Sequence, residues 1–408
     1  MSKNWIPPVR HRPAMDASVP VVVLATGHVG HGIARSLGRL GVRLYGVHAD
    51  PRSPAGRSRF WHERLTWNLM EEDEAESVAW LLQLAERIGT RPVLIPTGDI
   101  SALFVADHAL DLEESFLMPP QTAGLSRALS NKRQMYVLCK QYSVPTAETR
   151  FPASRGDVEN FAAEATYPLM LKGIDTETLR RRTGVGMVIV DDAASLLARY
   201  DELETPGVPN LMIQEYIPGG AEEVWMLNGY FDHHSDLRFS LTGKKMRQYP
   251  AYTGLTSLGV CVWNDAVTRQ TVEFMKRIEY RGVLDIGYKH DVRTGEYKLL
   301  DVNPRVGTTF RLFVDSAGMD VVRALYLDLT GQRVWRGRPC EGRKWVVENF
   351  DIISSLRYWR DGNLGFRDWL SSLKGLREAS WFARDDLAPF AMMSLRSVEW
   401  AFENLRKS

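Results

Sequence analysis

Arg281-Gly282-Val283-Leu284-Asp285-Ile286-Gly287-Tyr288-Lys289 and Tyr297-Lys298-Leu299-Leu300-Asp301-Val302-Asn303-Pro304-Arg305 are two apolar arms with polar interruptions, joined through Asp291-Val292-Arg293-Thr294-Gly295. The Thr-Gly pair falls where a hairpin reverses. Side chains alternate along a strand, so Asp301 and Asn303 leave one face while Val302 enters the core, and Asp285 shares a face with position 287. With the reversal near Thr294, position 287 stands across from Asp301, and Asp285 lies one pair away, about 7–8 Å diagonally. Two carboxylates and an amide oxygen on one face, with Arg305 just beyond, form a donor set that can hold magnesium and a polyphosphate. A surface hairpin with solvated polar residues is the alternative that this stretch alone leaves open.

Upstream, Val21-Val22-Val23-Leu24-Ala25 is a continuous apolar run of buried-strand type. Thr26-Gly27-His28-Val29-Gly30-His31-Gly32 follows, then helical spacing over 33–40 and a second strand over 42–47. This βαβ unit approaches a dinucleotide fingerprint with its spacing reversed, and no acidic residue closes the second strand in the usual way. A glycine-permitted tight turn is the plainer reading, and NAD binding by a dehydrogenase is its rival. The helix N-terminus there also suits a substrate carboxylate. Residues 71–88 read as a charged amphipathic helix. Pro92-Val93-Leu94-Ile95-Pro96 reads as a buried strand ending in Thr97-Gly98-Asp99. Asp99 stands either where open α/β sheets bind ligands or where a helix is capped.

Asn131 to Lys140 reads as a helix, and Tyr167-Pro168-Leu169-Met170-Leu171-Lys172-Gly173 as an apolar strand with a lysine near its end. Burying that lysine is costly unless its ammonium meets an anion. Residues 175–186, with Arg180-Arg181-Arg182 and two glycines, read as a mobile loop of the kind that closes over phosphates, or as an ordinary exposed loop. A strand returns over 187–190. Leu211-Met212-Ile213-Gln214-Glu215-Tyr216-Ile217 is another strand, and a later one over 237–247 places Lys245 and Arg247 on one face.

With 408 residues and 44% hydrophobic content, the chain can bury large cores over two or three domains. A formal charge of +1 gives no general reason to expect nucleic acid or an anionic membrane as a partner. Cys139, Cys261 and Cys340 match neither a zinc spacing nor a disulfide framework and read as reduced, cytoplasmic thiols. The proline-rich start reads as a loose tail rather than a signal peptide, and no run has the apolar length of a membrane span.

Five features in this order resemble the ATP-grasp superfamily, and more closely its carboxylate–amine ligases, over roughly residues 20 to 330. They are Asn131-Lys132 opening a helix, Leu171-Lys172 on a strand, the basic segment, Gln214-Glu215-Tyr216-Ile217, and Leu300-Asp301-Val302-Asn303-Pro304-Arg305. The resemblance implies an α/β fold, α+β within the ATP-grasp part. It divides into a flexible tail over 1–18, a Rossmann-like pre-ATP-grasp domain over 19–120, a two-lobed ATP-grasp domain over 121–335 with a mobile lobe of about 146–216, and a mostly helical extension over 336–408. It also implies ATP with Mg2+, or Mn2+ in its place.

Carried over residue by residue, Lys132 and Lys172 would contact the phosphates. Gln214 and Glu215, with the backbone of Tyr216 and Ile217, would line the adenine, and Glu222 or Glu223 would hold the ribose. Asp301 and Asn303 would bind the metal. One departure stands out: where the family has a carboxylate or Gln, this chain has Gly287, and Asp285 is the nearby substitute. Arg305 and Arg311 would steady the transferring phosphate. Lys245 and Arg247 would take the substrate's carboxylate or phosphate, or else form a solvated strand face. The implied reaction activates a small-molecule carboxylate as an acyl phosphate for an amine, releasing ADP and phosphate. A nucleotide-binding protein without ligase activity and an ATP-grasp kinase are the alternatives. Beyond residue 332, tryptophans spread among helical segments suggest a capping subdomain, with a homodimer contact or a peripheral membrane face as the other readings.

Overall fold

The structure, a computed structural model, describes residues 14–25, 27–205 and 207–405. Most of the expected tail over 1–18 lies outside the described residues. Four strands, β1 (Val21–Ala25), β2 (Leu44–His48), β3 (Glu63–Thr66) and β4 (Val93–Pro96), form a parallel sheet in the order β3-β2-β1-β4. Strands β1, β2 and β4 are buried along most of their length because helices α1 (Gly27–Gly38), α2 (Glu74–Ile88), α3 (Asp99–Asp107) and the short α4 (Ala109–Leu112) accompany them, whereas the edge strand β3 is polar and alternates in exposure. The glycine-containing segment is not a loop: α1 begins at Gly27, where φ is +47°, and Gly30 and Gly32 lie within the helix. A Cβ on Gly32 would sit 2.9 Å from the Phe310 ring, so this glycine serves close packing. Gly32→Ala is therefore expected to cost about 1–3 kcal/mol of stability by overpacking, against the roughly 1 kcal/mol that alanine gains over glycine in an open helix. Urea denaturation reads the sign.

After α5 (Leu125–Ser130) and α6 (Lys132–Gln141), a second sheet is built from β5 (Thr149–Arg150), β6 (Leu169–Gly173), β7 (Met187–Val190) and β8 (Leu211–Glu215). It is antiparallel, in the order β5-β8-β6-β7. Helices α7 (Arg155–Ala162), α8 (Thr176–Thr183) and α9 (Ala193–Leu203) complete this part, and Leu171, Leu179, Leu196 and Ile213 lie in its core. Here the expected loop over 175–186 is corrected: most of it is helix α8. Its residues tolerate a helix, and its one leucine, Leu179, is fully buried and anchors the turn.

The third sheet holds β9 (Val224–Phe231), β10 (Leu237–Tyr249), β11 (Leu255–Cys261), β12 (Gly282–Asp291) and β13 (Glu296–Asn303), with α10 (Asp265–Arg277) after β11. Asp291 O accepts from Thr294 N and Gly295 N, and Gly295 takes φ +75°, so the β12–β13 turn reverses where the Thr-Gly pair indicates. After α11 (Val321–Leu329), the C-terminal segment adds β14 (Lys344–Val346) and β15 (Leu376–Ala379) to the same sheet, in the order β13-β12-β9-β10-β11-β14-β15. Helices α12 (Glu348–Arg360), α13 (Phe366–Ser372) and α14 (Ala388–Leu405) make the segment mostly helical, but its two strands are part of the sheet.

The chain divides into two compact units. One holds residues 1–127, 220–287 and 302–408; the other holds 128–219 and 288–301. Within the first, a single core joins Val21 and Ile33, Phe239 and Leu241, and Trp345 and Trp381. Buried Arg35 of α1 donates to Asp386 Oδ2 at 3.0 Å and to the carbonyl oxygens of Ser380 and Trp381, fastening the C-terminal segment to this core.

Candidate active site

In the second unit, Asn131 caps α6, its side-chain oxygen accepting from Arg133 N and Gln134 N at 3.0 and 3.1 Å. This cap places Lys132 at the first helical position. Its ammonium donates to Gly173 O, Ile174 O and Thr176 Oγ1 at 3.1, 2.8 and 2.7 Å, tying the end of β6 to the start of α8. Lys172, half-buried on β6, has no hydrogen bond or ion pair among the described residues. Burial pushes its pKa down from 10.5 to about 8, Lys132 adds to the shift, and Asp301 on β13 opposes it. Lys132 feels two carboxylates, Asp301 and Asp175, whereas at Lys172 Asp301 alone opposes burial and the Lys132 charge, so the Lys172 ammonium is the one left suited to an anion.

The sign of this shift sets a pH effect. The unfolded chain titrates Lys172 near 10.5 and the folded one near 8, so between those values the unfolded state binds more protons and stability rises with pH. Between pH 8 and 10.5 the unfolding free energy of the wild type is expected to rise relative to that of Lys172→Met. Paired denaturant titrations across that window check it.

Gln214 is buried on β8, its Nε2 donating to Thr149 Oγ1 at 2.9 Å. Both oxygens of Glu215 accept from Lys298 at 2.9 Å, and one also accepts from Arg293. Burial pushes Glu215 up, yet the Lys298 bond and the Glu148 backbone N–H outweigh it and leave the carboxyl below its ordinary range. Asp291 joins the same cluster, 2.9 Å from Lys298. Lys298 is a residue that sequence reasoning missed. A lysine within an apolar strand run is the signal that singled out Lys172, and Lys298 carries it too. Lys289 lies over the ring of Tyr216 at 5.4 Å and donates to Gly219 O.

In the first unit, Arg305 is the hub. It donates to Asp99 Oδ1 at 2.6 Å and to Asn303 Oδ1 at 3.3 Å, and its Nη1 is 3.8 Å from Asp285 Oδ2. Asn228 Nδ2 donates to the other Asp285 oxygen at 2.8 Å. A Cβ on Gly307 would fall 2.5 Å from Asp285 Cγ, so only glycine leaves room for this carboxylate. The helix preceded by Asp99 in the sequence reading in fact begins at Asp99 itself, with Gly98 at the cap. Glu222 and Glu223 close the 3-10 turn of 221–223, where Glu222 Oε1 accepts from Gly220 N at 3.1 Å.

Lys245 and Arg247 do not behave as one strand face, because a β-bulge between them breaks the alternation. Lys245 donates to Gly254 O. Arg247 is buried and bidentate to Asp351 at 2.8 and 2.7 Å, with Ser257 donating to the same carboxylate. Arg311 is likewise bidentate to Glu378 at 2.8 Å and donates to Asp320 at 2.5 Å. Burial disfavours the Arg311 charge, but Glu378 and Asp320 outweigh it and raise its pKa. Both arginines are thus committed to carboxylates, and Asp351 and Glu378 belong to the C-terminal segment.

Among the described residues no group of three or more His, Cys, Asp or Glu is placed to hold a metal ion. Magnesium at a nucleotide needs only one or two carboxylates, the phosphate oxygens and waters completing its shell. In the first unit the hard oxygens of Asp285 and Asn303, both held by Arg305, fit that demand.

No family model matches the chain. It is 25% identical over 242 residues to the D-aspartate ligase of Enterococcus faecium (strain Aus0004), covering 57% of each chain. It spans about half the length of the curated relatives it matches. Among solved structures it is similar to the N5-carboxyaminoimidazole synthetase of Staphylococcus aureus complexed with ADP, with TM-score 0.63 at 13% identity, covering 86% of this chain and 88% of that one. It is also similar to the L-amino acid ligase of Bacillus licheniformis, with TM-score 0.58 at 13% identity, covering 81% and 79%. At these identities the likeness establishes the fold.

Proposed function

The chain has the ATP-grasp fold, and from that premise we propose that the protein is an ATP-dependent carboxylate–amine ligase that forms ADP. The observation that carries this reading is Lys172, a half-buried ammonium without a partner beside a second lysine, which is costly to keep unless a polyphosphate arrives.

A free carboxylate is a poor electrophile because its leaving group would be oxide. Attack of a carboxylate oxygen on the γ-phosphorus of ATP breaks the bond to the bridging oxygen and gives an acyl phosphate and ADP. The amine then attacks the acyl carbon, phosphate leaves, and the nitrogen loses a proton to give the amide. Such a transfer is driven mostly by positioning and charge. Lys172 holds the phosphates. Lys132 fixes the end of β6 and the start of α8 around them. The Tyr216 and Ile217 backbone meets the adenine edge beside Gln214, and Glu223 takes the ribose hydroxyls. Arg305 faces the transferring phosphoryl group and holds Asp285 and Asn303 in place, while Lys245 meets the acid. As the ATP-grasp resemblance implies, Asp285, Asn303 and Asp301 would hold magnesium, which would neutralise phosphate charge. Arg247 and Arg311 keep the C-terminal segment on the sheet instead of meeting substrate.

The relatives named as D-aspartate and L-amino acid ligases support amino acids as the substrate class. The domain limits of 19–120, 121–335 and 336–408 remain our functional division. An ATP-consuming enzyme with three unpaired thiols fits a cytoplasmic location, and light scattering decides whether it is a homodimer.

Incubating the protein with ATP, magnesium, a panel of amino acids and hydroxylamine tests the reading. Hydroxamate with ADP is expected. A stable phosphorylated product without hydroxamate makes it a kinase, and nucleotide binding without ADP release makes it a binding protein.

A further inference from the structure

Helices α12 and α13 each leave an apolar face outward. Ile352, Leu356 and Trp359 lie at helical spacing on α12, and with Leu364, Phe366 and Trp369 they line a groove of about 480 Å³. Trp359 is 63% exposed and Phe366 is 70% exposed. Two polar atoms in the groove wall, Ser355 Oγ and Trp369 Nε1, have no hydrogen-bond partner among the described residues.

Some exposed arginines of the chain sit in ion pairs, such as Arg87 and Arg155, and others, such as Arg43 and Arg338, have none among the described residues. Arg360 on α12, Arg367 on α13, Lys374 in the turn after it and Arg377 on β15 are exposed and have no ion pair or side-chain hydrogen bond among the described residues. The exposed carboxylates on these elements are Asp368 and Asp361, the latter already bonded to Arg357 at 2.9 Å, while Glu348, Asp351 and Glu378 are taken up by Phe382 N, Arg247 and Arg311.

We propose that this face docks the protein on an anionic phospholipid bilayer. Exposed tryptophan, phenylalanine and isoleucine beside a ring of unpaired arginine and lysine is the composition of a surface that sits at the headgroup level. The apolar side chains enter the acyl boundary and the cations meet lipid phosphates. A second copy of the chain fits less well, since a two-fold contact would set the four cations against their own copies. The effect is to hold the enzyme at the membrane face.

The test is cosedimentation of the full chain with neutral phosphatidylcholine vesicles and with vesicles that also contain phosphatidylglycerol. The protein is expected to pellet with the anionic vesicles, to be released by high salt, and to stay in solution with the neutral ones. At about fivefold per cation near an anionic surface, Arg360→Gln with Arg367→Gln is expected to lower the partition coefficient roughly 30-fold. Trp359→Ser with Phe366→Ser is expected to abolish pelleting. Melting curves of both variants should match the wild type, because these side chains are exposed. Failure to pellet with anionic vesicles at low salt overturns the proposal, as does equal pelleting of both variants. Self-association in light scattering that Trp359→Ser with Phe366→Ser removes would also overturn it, assigning the face to a second copy.

Discussion

Replacing Lys172 by methionine is expected to weaken nucleotide binding by about 100-fold, in line with losing charge-assisted bonds to phosphate. Turnover should fall by roughly 10²–10³, since this charge also serves the transition state. The empty protein should at the same time become slightly more stable. Holding the lysine near pKa 8 instead of 10.5 means that folding works against its charged form. At about 1.36 kcal/mol per unit the penalty is at most roughly 3 kcal/mol, and solvent at a half-buried site makes it smaller. Methionine keeps the length of the side chain and removes the charge. A residue that serves the fold loses stability when it is replaced, whereas a residue that serves a ligand loses binding and gains stability. Melting the apo variant beside an ATP turnover assay separates the two, and a drop in both would make Lys172 structural.

The opposite pattern is expected at Arg247. Removing one partner of a buried bidentate pair leaves the Asp351 carboxylate uncompensated, at a cost of about 3–5 kcal/mol. Arg247→Met should therefore shift the urea midpoint strongly while leaving turnover per folded molecule near the wild-type value. Pairing it with Asp351→Leu should recover most of the stability, because no buried charge then remains. Turnover lost at unchanged stability would return Arg247 to the substrate, the role that strand alternation alone suggested.

The contrast between these two residues shows what could be read along the chain. Lys172 was legible because one strand carries both the apolar run and the lysine, and the cost of burying that charge is local. The hairpin of β12 and β13 was legible for the same reason, as were β1 and β4, whose apolar runs need helices over them. Arg247 was not, because its partner Asp351 lies 104 positions further along the chain, and a bulge at 245–247 cancels the two-residue period. The role of Gly32 depends on Phe310, which no local pattern connects to it. Helix α8 was hidden by composition: with Leu179 as its one large apolar side chain, the stretch has no period to detect. Gly307 is legible only once the Asp285 carboxylate is seen to occupy the space its Cβ would take.

The account rests on Lys172 standing ready for a polyphosphate. Calorimetric titration of the full chain with a non-hydrolysable ATP analogue and magnesium, repeated from pH 7 to pH 9, measures this directly. A single saturable site is predicted, with affinity level at pH 7, falling as the pH passes 8 with proton uptake on binding, and nearly independent of pH in Lys172→Met. No binding, or binding of equal strength in the variant and the wild type across that range, would contradict it.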